Sequence, residues 1–429
     1  MNQAAGISMP TEANATKHDW EEVLLDSVAK RGSGHTPDKK HPEYWGGPIK
    51  WISLQDSAQL DALYIEDTAA TITVEGIKNS SAVLHQKGTV VLSRDAGVGK
   101  SAIMAADMAV SQHFMAWTCG QRLDNHFLYY WLQSKKPEFE RIANGNTIKT
   151  IGLPYFKDLS IPLPPPEEQK RIASAMSGID TLISSLDQLI VKKRNIQQAT
   201  MQQLLTGQRR LPGFSGEWVV KRLGEIGEVS GAGVDKKIRT GETEIRLLNY
   251  TDVYKKDFLR SSDFNHVVTA KPEQIARCAV KKGDVFFTPS SETRDDIGHA
   301  SVSCEDMPDV TYSYHVVRLR PLPALDIKFL GFVFKSKDFS DQASVACEGS
   351  GTRYVITLPK FRAMTIHLPL GIDEQEAIGE VLFDMGNELA ALETRRDKAR
   401  QLKQGMMQEL LTGRIRLTSS ALKLSPSRE

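Results

Sequence analysis

The stretch EEQKRIASAMSGIDTLISSLDQLIVKKRNIQQATMQQLLTG, Glu167 to Gly207, returns as DEQEAIGEVLFDMGNELAALETRRDKARQLKQGMMQELLTG, Asp373 to Gly413. The offset is 206 throughout, without a gap, and residues 167–211 share 15 identities in 45 positions with 373–417. Ile172/Ile378, Leu186/Leu392, Lys192/Lys398, Arg194/Arg400 and Arg210/Arg416 are among them. This is an internal duplication, and repeats are read before anything else because they decide the architecture.

Neither stretch contains proline. Pro164-Pro165-Pro166 precedes the first, and Gly207 and Gly413 close the two, so each reads as one uninterrupted helix. Asp373-x-x-Glu376 offers a capping box to the second. Apolar residues recur at sevens: Ile172, Ile179 and Leu186, beside Leu182, Leu189 and Ile196. The second stripe runs Ile378, Leu382, Met385, Leu389, Leu392 and Leu402. That is coiled-coil patterning. A helix of 39 residues is about 58 Å long at ~1.5 Å per residue. An isolated helix cannot bury such a stripe, and the nearest partner is the other copy. Residues 167–211 carry +3 and 373–417 carry −2, which favours the pairing. The expectation is an antiparallel coiled coil with a pseudo-two-fold internal repeat; the plainer alternative is a core helix in each of two ordinary domains.

The duplication extends upstream with drifting offsets. Ile151, Leu153, Pro154, Phe156, Ile161 and Leu163 match Ile356, Leu358, Pro359, Phe361, Ile366 and Leu368. Leu123-Asp124 matches Leu325-Asp326, Lys87-Gly88 matches Lys282-Gly283, and Trp20 matches Trp218. The domains vary at loops while the helices keep one length. Strands are predicted at 71–74, 89–92, 285–287 and 314–319, and short helices at 123–134 and 325–336. The fold class is α+β. The predicted order is a polar tail 1–19, a globular domain 20–166, a long helix 167–211, a second domain 212–370, a second long helix 371–417 and a tail 418–429.

Composition narrows the function. The 429 residues carry net charge +1, less basic than a protein that grips DNA unaided. The four cysteines lie far apart with no C-x-x-C, which fits a reducing cytoplasm. No apolar run reaches membrane-spanning length, and the polar start does not read as a secretion signal. Gly97-Val98-Gly99-Lys100-Ser101 imitates a phosphate loop but has Arg94 where the first glycine belongs. Asp309 and Asp326-Ile327-Lys328 imitate a nuclease pattern, yet Asp326 reads as a helix cap. No methyltransferase motif and no helical histidine pair occurs, so no catalytic residue and no metal ligand is assigned.

Several motifs, in order and twice over, resemble the specificity subunits of type I restriction-modification systems. They are Gly34-His35-Thr36-Pro37, Tyr44-Trp45-Gly46-Gly47-x-Ile49-x-Trp51, Ser93 to Ile103, and Leu163 to Ile172 leading into the helix and Leu-Leu-Thr-Gly. The second half has Leu248-Asn249-Tyr250-x-Asp252-Val253 and Leu368-Pro369 to Gln375, but lacks the Thr-Pro and Tyr-Trp-Gly opening. The resemblance implies a non-catalytic, DNA-reading subunit. Each domain would read half of a split, asymmetric site in double-stranded DNA. The helices would set the spacing and dock two methyltransferase subunits, with restriction subunits completing the assembly. S-adenosylmethionine, ATP and magnesium would sit on those partners. A coiled-coil scaffold with duplicated ligand-binding modules is the alternative, as is a related restriction system with another nuclease arrangement.

DNA contacts need Lys, Arg, hydroxyl and amide groups at flexible places. The candidates are Lys39, Lys40 and Tyr44 in the opening, Arg94 and Lys100 around the glycine loop, and Thr147 and Lys149 in the loop after 144. In the second half they are Lys236, Lys237, Arg239, Arg294, Thr352, Arg353 and Tyr354. Trp45 reads first as core.

Overall fold

A computed structural model describes residues 20–145, 149–322 and 325–418. The chain divides into two compact units, residues 1–185 with 396–429, and residues 186–395. Thus each unit holds one globular part and a portion of both long helices.

In the first unit the principal strands are β1 (Ala29–Ser33), β2 (Trp45–Ile52), β3 (Tyr64–Ile65), β4 (Val90–Ser93), β5 (Ser101–Met104), β6 (Met108–Val110) and β7 (Phe114–Cys119). Five form a sheet in the order β1-β7-β4-β5-β3. β4 and β5 are buried on both faces, as expected where an apolar run is covered from two sides. β2 and β6 lie side by side in a second sheet of four, paired in parallel with Ile52 opposite Val110. Asp124 caps α1 (Asn125–Ile142) by accepting from the N–H groups of His126 and Phe127. This helix contributes Phe127, Leu128, Tyr130, Leu132 and Phe139 to a core that also takes Trp20, Trp117 and Phe156.

The second unit repeats the design. Its strands are β8 (Gly227–Ser230), β9 (Thr243–Leu248), β10 (Phe258–Leu259), β11 (Val285–Phe287), β12 (Ala300–Ser303), β13 (Val310–Tyr312) and β14 (Val317–Pro321). The order β8-β14-β11-β12-β10 reproduces that of the first unit. β9 and β13 pair in parallel in a sheet of three, with Leu248 opposite Tyr312. Asp326 accepts from the N–H of Phe329 and caps a helix at Ile327–Val333, the role its sequence context gives it.

The long helices run over Pro166–Leu204 and Ile372–Leu410. Gly207 and Gly413 take φ +70 and +73°, the left-handed geometry that ends a helix. The pairing is antiparallel wherever it is seen. In the first unit Asp180 pairs with Lys403 at 2.6 Å and Glu168 with Arg416 at 2.9 Å. In the second, Lys193 pairs with Glu388 at 2.6 Å, and Arg194 with Glu393. Gly379 brings the second helix against the capped turn; a Cβ there would lie 2.7 Å from Asp326 Oδ1 and from the Phe329 nitrogen.

The heptad reading needs correction. Ile172, Ile179, Leu186, Ile378 and Leu382 are buried, and Met385, Leu389 and Leu392 are half-buried. Leu182 and Leu189, assigned to the seam, are exposed, and so are Ile196 and Leu402. Ile172 belongs to the first globular core and Ile378 and Leu382 to the second. Here the ends of the helices plug the domains they adjoin. Two local differences matter as well. Val74 starts a short helix instead of ending a strand, and Tyr314-His315-Val316 form a turn ahead of β14.

Candidate nucleic-acid interface

Each unit carries a buried carboxylate clamp at the start of a long helix. In the first, Glu168 is 3% exposed and accepts from Arg416 Nε and Nη2, from the Leu417 nitrogen at 3.0 Å and from Trp20 Nε1 at 3.3 Å. The Arg416 guanidinium also lies 5.4 Å from the Trp20 ring centre. Burial pushes the Glu168 carboxyl up, but its bonds to Arg416 and Trp20 and the Arg416 charge outweigh that and hold it below the ordinary range. In the second unit Glu374 accepts from Arg210 Nη2 at 2.6 Å and from Trp218 Nε1 at 3.3 Å. The arginine after one helix therefore closes on the glutamate that opens the other. These clamps tie the start of one long helix to the segment that follows the other.

The first unit has a cleft of about 430 Å³ bordered by Thr36, Lys39, Trp45, Trp51, Gln112 and His113. Lys39 is thus brought to an open surface. Trp45 packs edge-on against Trp51 at 5.1 Å, half-buried. His113 Nδ1 lies 2.7 Å from Oδ2 of the buried Asp95, which also accepts from the Thr150 hydroxyl. With Nδ1 against Asp95, Nε2 faces Gln112, 3.4 Å from its Nε2. Lys40 is exposed on the same loop, and Tyr44 stacks on His41 at 4.8 Å.

A second basin of about 470 Å³ collects Lys100, Lys136 and Lys149 around Gly97, with Glu140. Lys100 Nζ donates to the Ser57 carbonyl at 3.0 Å, and Lys136 pairs with Asp61 at 2.5 Å. Arg94 does not join them. Its guanidinium is mostly buried, 3.7 Å from Asp95, with Nε lacking a hydrogen-bond partner. The reason is its neighbour: Asp95 draws the side chain inward. Thr147 lies outside the described residues.

In the second unit a cleft of about 700 Å³ joins Lys236, Tyr250, Tyr254, His315, Thr352 and Arg353. Tyr250 and Tyr254 stack at 6.4 Å on the helix Tyr250–Lys255. Asp296 accepts from the Tyr254 hydroxyl at 3.1 Å, and this bond and charge raise the phenol, so it stays protonated. Burial, then the charges of Lys236 and Arg353, push the His315 imidazole down, which favours its neutral form. The segment holding Thr352, Arg353 and Tyr354 is a hairpin, Glu348–Ser350 with Arg353–Val355, paired to Ser290–Ser291. It carries Thr352 and Arg353 to the cleft, while Tyr354 lies under the Arg294 guanidinium at 4.9 Å. Arg239 is drawn away, bonded to Asp235 at 2.5 Å and near Glu242 at 3.8 Å. Lys237 is exposed and does not border the cleft.

Sequence reasoning missed Gln112, His113, Tyr250, Tyr254 and His315. A signal existed: Ser111-x-His113 recurs as Ser313-x-His315 at the offset of 202 that relates Leu123 to Leu325. Among the described residues no three His, Cys, Asp or Glu side chains are grouped to hold a metal ion, and no helix is long and apolar enough to cross a membrane.

Residues 17–192 and 215–401 match the family described as the type I restriction modification DNA specificity domain. The MjaIX specificity subunit of Methanocaldococcus jannaschii is 27% identical over 304 residues, 66% of this chain and 69% of that protein. The MjaVIII specificity subunit of the same organism is 23% identical, with 93% of each chain covered. Among solved structures, the S subunit of the type I system of M. genitalium superposes with TM-score 0.55 at 16% identity, covering 94% of this chain and 98% of that one. A chain from a study of complex assembly in the type I system gives TM-score 0.58 at 16% identity, covering 92% and 99%.

Proposed function

The chain belongs to the type I restriction-modification DNA specificity family, and from that premise we propose that it reads a split, asymmetric site in double-stranded DNA, one half per unit. The observation that carries this reading is the pair of open clefts built on one strand order but walled by different side chains. Lys39, Trp45 and Gln112 border the first; Lys236, Tyr254 and Arg353 border the second. Equivalent frames with unlike walls are what two different half-sites require.

Lys39, Lys40, Tyr44, Lys100 and Lys149 serve the first half-site. Lys236, Lys237, Arg294, Thr352, Arg353 and Tyr354 serve the second. Cationic groups hold phosphates and set the register, and groups at the cleft edges meet the bases. The chain itself performs no bond chemistry. Two methyltransferase subunits dock on the paired helices and hold S-adenosylmethionine; restriction subunits bring ATP and magnesium. A net charge of +1 accords with partners that supply much of the phosphate attraction.

The test is a domain exchange. Residues 218–369 are replaced by the corresponding region of a relative with a different target, and methylated DNA is sequenced. One half-site changes and the other stays. A change in both halves would contradict the one-half-per-unit reading.

A further inference from the structure

From the end of β6 to Phe114, the first residue of β7, the first unit turns through Ser111-Gln112-His113-Phe114. Between β13 and β14 the second turns through Ser313-Tyr314-His315-Val316. The two turns share two backbone bonds. Phe114 N donates to Ser111 O at 3.2 Å, and Val316 N donates to Ser313 O at 2.9 Å. Ser111 N donates to the carbonyl of Ile52, the last residue of β2, at 2.9 Å; Ser313 N donates to that of Leu248, the last residue of β9, at 2.9 Å. In both, the serine is buried, the second residue exposed, the histidine half-buried and the fourth residue buried. A glycine backs each turn: a Cβ on Gly34 would lie 1.6 Å from Val110 O, and one on Gly233 would lie 2.2 Å from Tyr314 N.

The frames agree and the tips do not. Gln112 is held by the Thr36 hydroxyl, which donates to its Oε1 at 2.7 Å, and its Nε2 lies 3.4 Å from His113 Nε2. Each amide atom keeps a second lone pair or N–H for a ligand. Tyr314 is 53% exposed, with its ring 3.9 Å from that of His315. Gln112 and His113 border the first cleft, and His315 borders the second.

We propose that Gln112 and Tyr314 are equivalent specificity-determining positions, each presented by a fixed Ser-x-His turn to the base edges of its own half-site. The inference rests on the half-site reading above. A glutamine amide sets a donor beside an acceptor and so matches the N6 and N7 edge of adenine. Tyr314 offers an apolar ring to a thymine methyl and a hydroxyl beside it. The histidines are positioning residues: His113 Nε2 lies against the Gln112 amide, and the His315 ring lies against that of Tyr314.

The test uses the whole chain assembled with its methyltransferase subunits, with the methylated motif read by sequencing. The variants are Gln112→Ala, Gln112→Glu, Tyr314→Ala and Tyr314→Phe, all at exposed tips, each checked for an unchanged urea midpoint. Gln112→Ala is expected to lose discrimination, roughly 5- to 150-fold, at one base pair of one half-site. Gln112→Glu is expected to shift that position from adenine towards cytosine, whose N4 donates to a carboxylate. Tyr314→Ala acts only on the other half-site, and Tyr314→Phe retains the part due to the ring. Unchanged motifs, or a fall in methylation that is uniform across sequences, would overturn the inference. If the domain exchange still switches one half-site in that case, the half-site reading survives; if the exchange alters both halves, that reading fails whatever the tip variants do.

Discussion

Replacing Arg416 with methionine leaves Glu168 buried at 3% exposure, with only the Trp20 indole and the Leu417 nitrogen to serve its two oxygens. Removing one partner of a buried ion pair costs about 3–5 kcal/mol, and the partly exposed guanidinium puts this case near ~3 kcal/mol. Loss of the cation over the Trp20 ring adds about 0.5–1 kcal/mol. Five of the six tryptophans, Trp20, Trp45, Trp51, Trp117 and Trp131, lie in the first unit, so indole fluorescence in urea reports mainly on it. At a urea slope of ~3 kcal/mol/M, the midpoint of Arg416→Met falls by about 1 M. Adding Glu168→Gln removes the stranded charge, so the double variant is more stable than Arg416→Met alone. A midpoint within about 0.2 M of the parent, or a double variant no better than the single one, would refute the clamp.

Because the Glu168 carboxyl is lower in the folded unit than in the unfolded chain, its contribution is complete above the ordinary carboxylate range and is lost as pH falls through the folded value. The gap between parent and Arg416→Met urea midpoints therefore narrows from neutral pH towards pH ~3; a gap that widens in acid would contradict this. Gly379→Val puts a branched side chain where 2.7 Å is available beside the capped turn of the second unit. Overpacking there costs about 1–3 kcal/mol, read as a lower melting temperature, whereas an unchanged one would show that the helix shifts freely. Four residues inserted within 179–190, matched in the other long helix, add about 6 Å at ~1.5 Å per residue, or roughly 2 base pairs of DNA. The undefined gap of the methylated site lengthens by that amount with both halves unchanged; altered half-site bases would end the spacer idea.

The long helices were legible because a constant offset of 206 and a helical apolar period are both local properties. Which of two neighbouring stripes is covered was not. Ile179 and Leu182 lie three residues apart on one helix, and only the partner's position decides that the first is buried and the second exposed. Arg94 shows the same limit, since its neighbour Asp95 could equally have left it facing solvent. Tyr314-His315-Val316-Val317 has the composition of a strand, but Ser313 bonds back to Leu248 and the chain turns first. Charge singled out Lys39, Lys236 and Arg353, which do reach the clefts. It passed over Gln112, Tyr250 and Tyr254, whose placement depends on strand pairing far apart in sequence.

The most direct measurement is single-molecule sequencing of genomic DNA from one host with and without this chain, the methyltransferase subunit being present in both. The expected result is adenine methylation at a two-part, asymmetric motif with an undefined gap, seen only with the chain. A continuous or palindromic motif, or the same methylation without the chain, would contradict two unlike readers acting in one polypeptide.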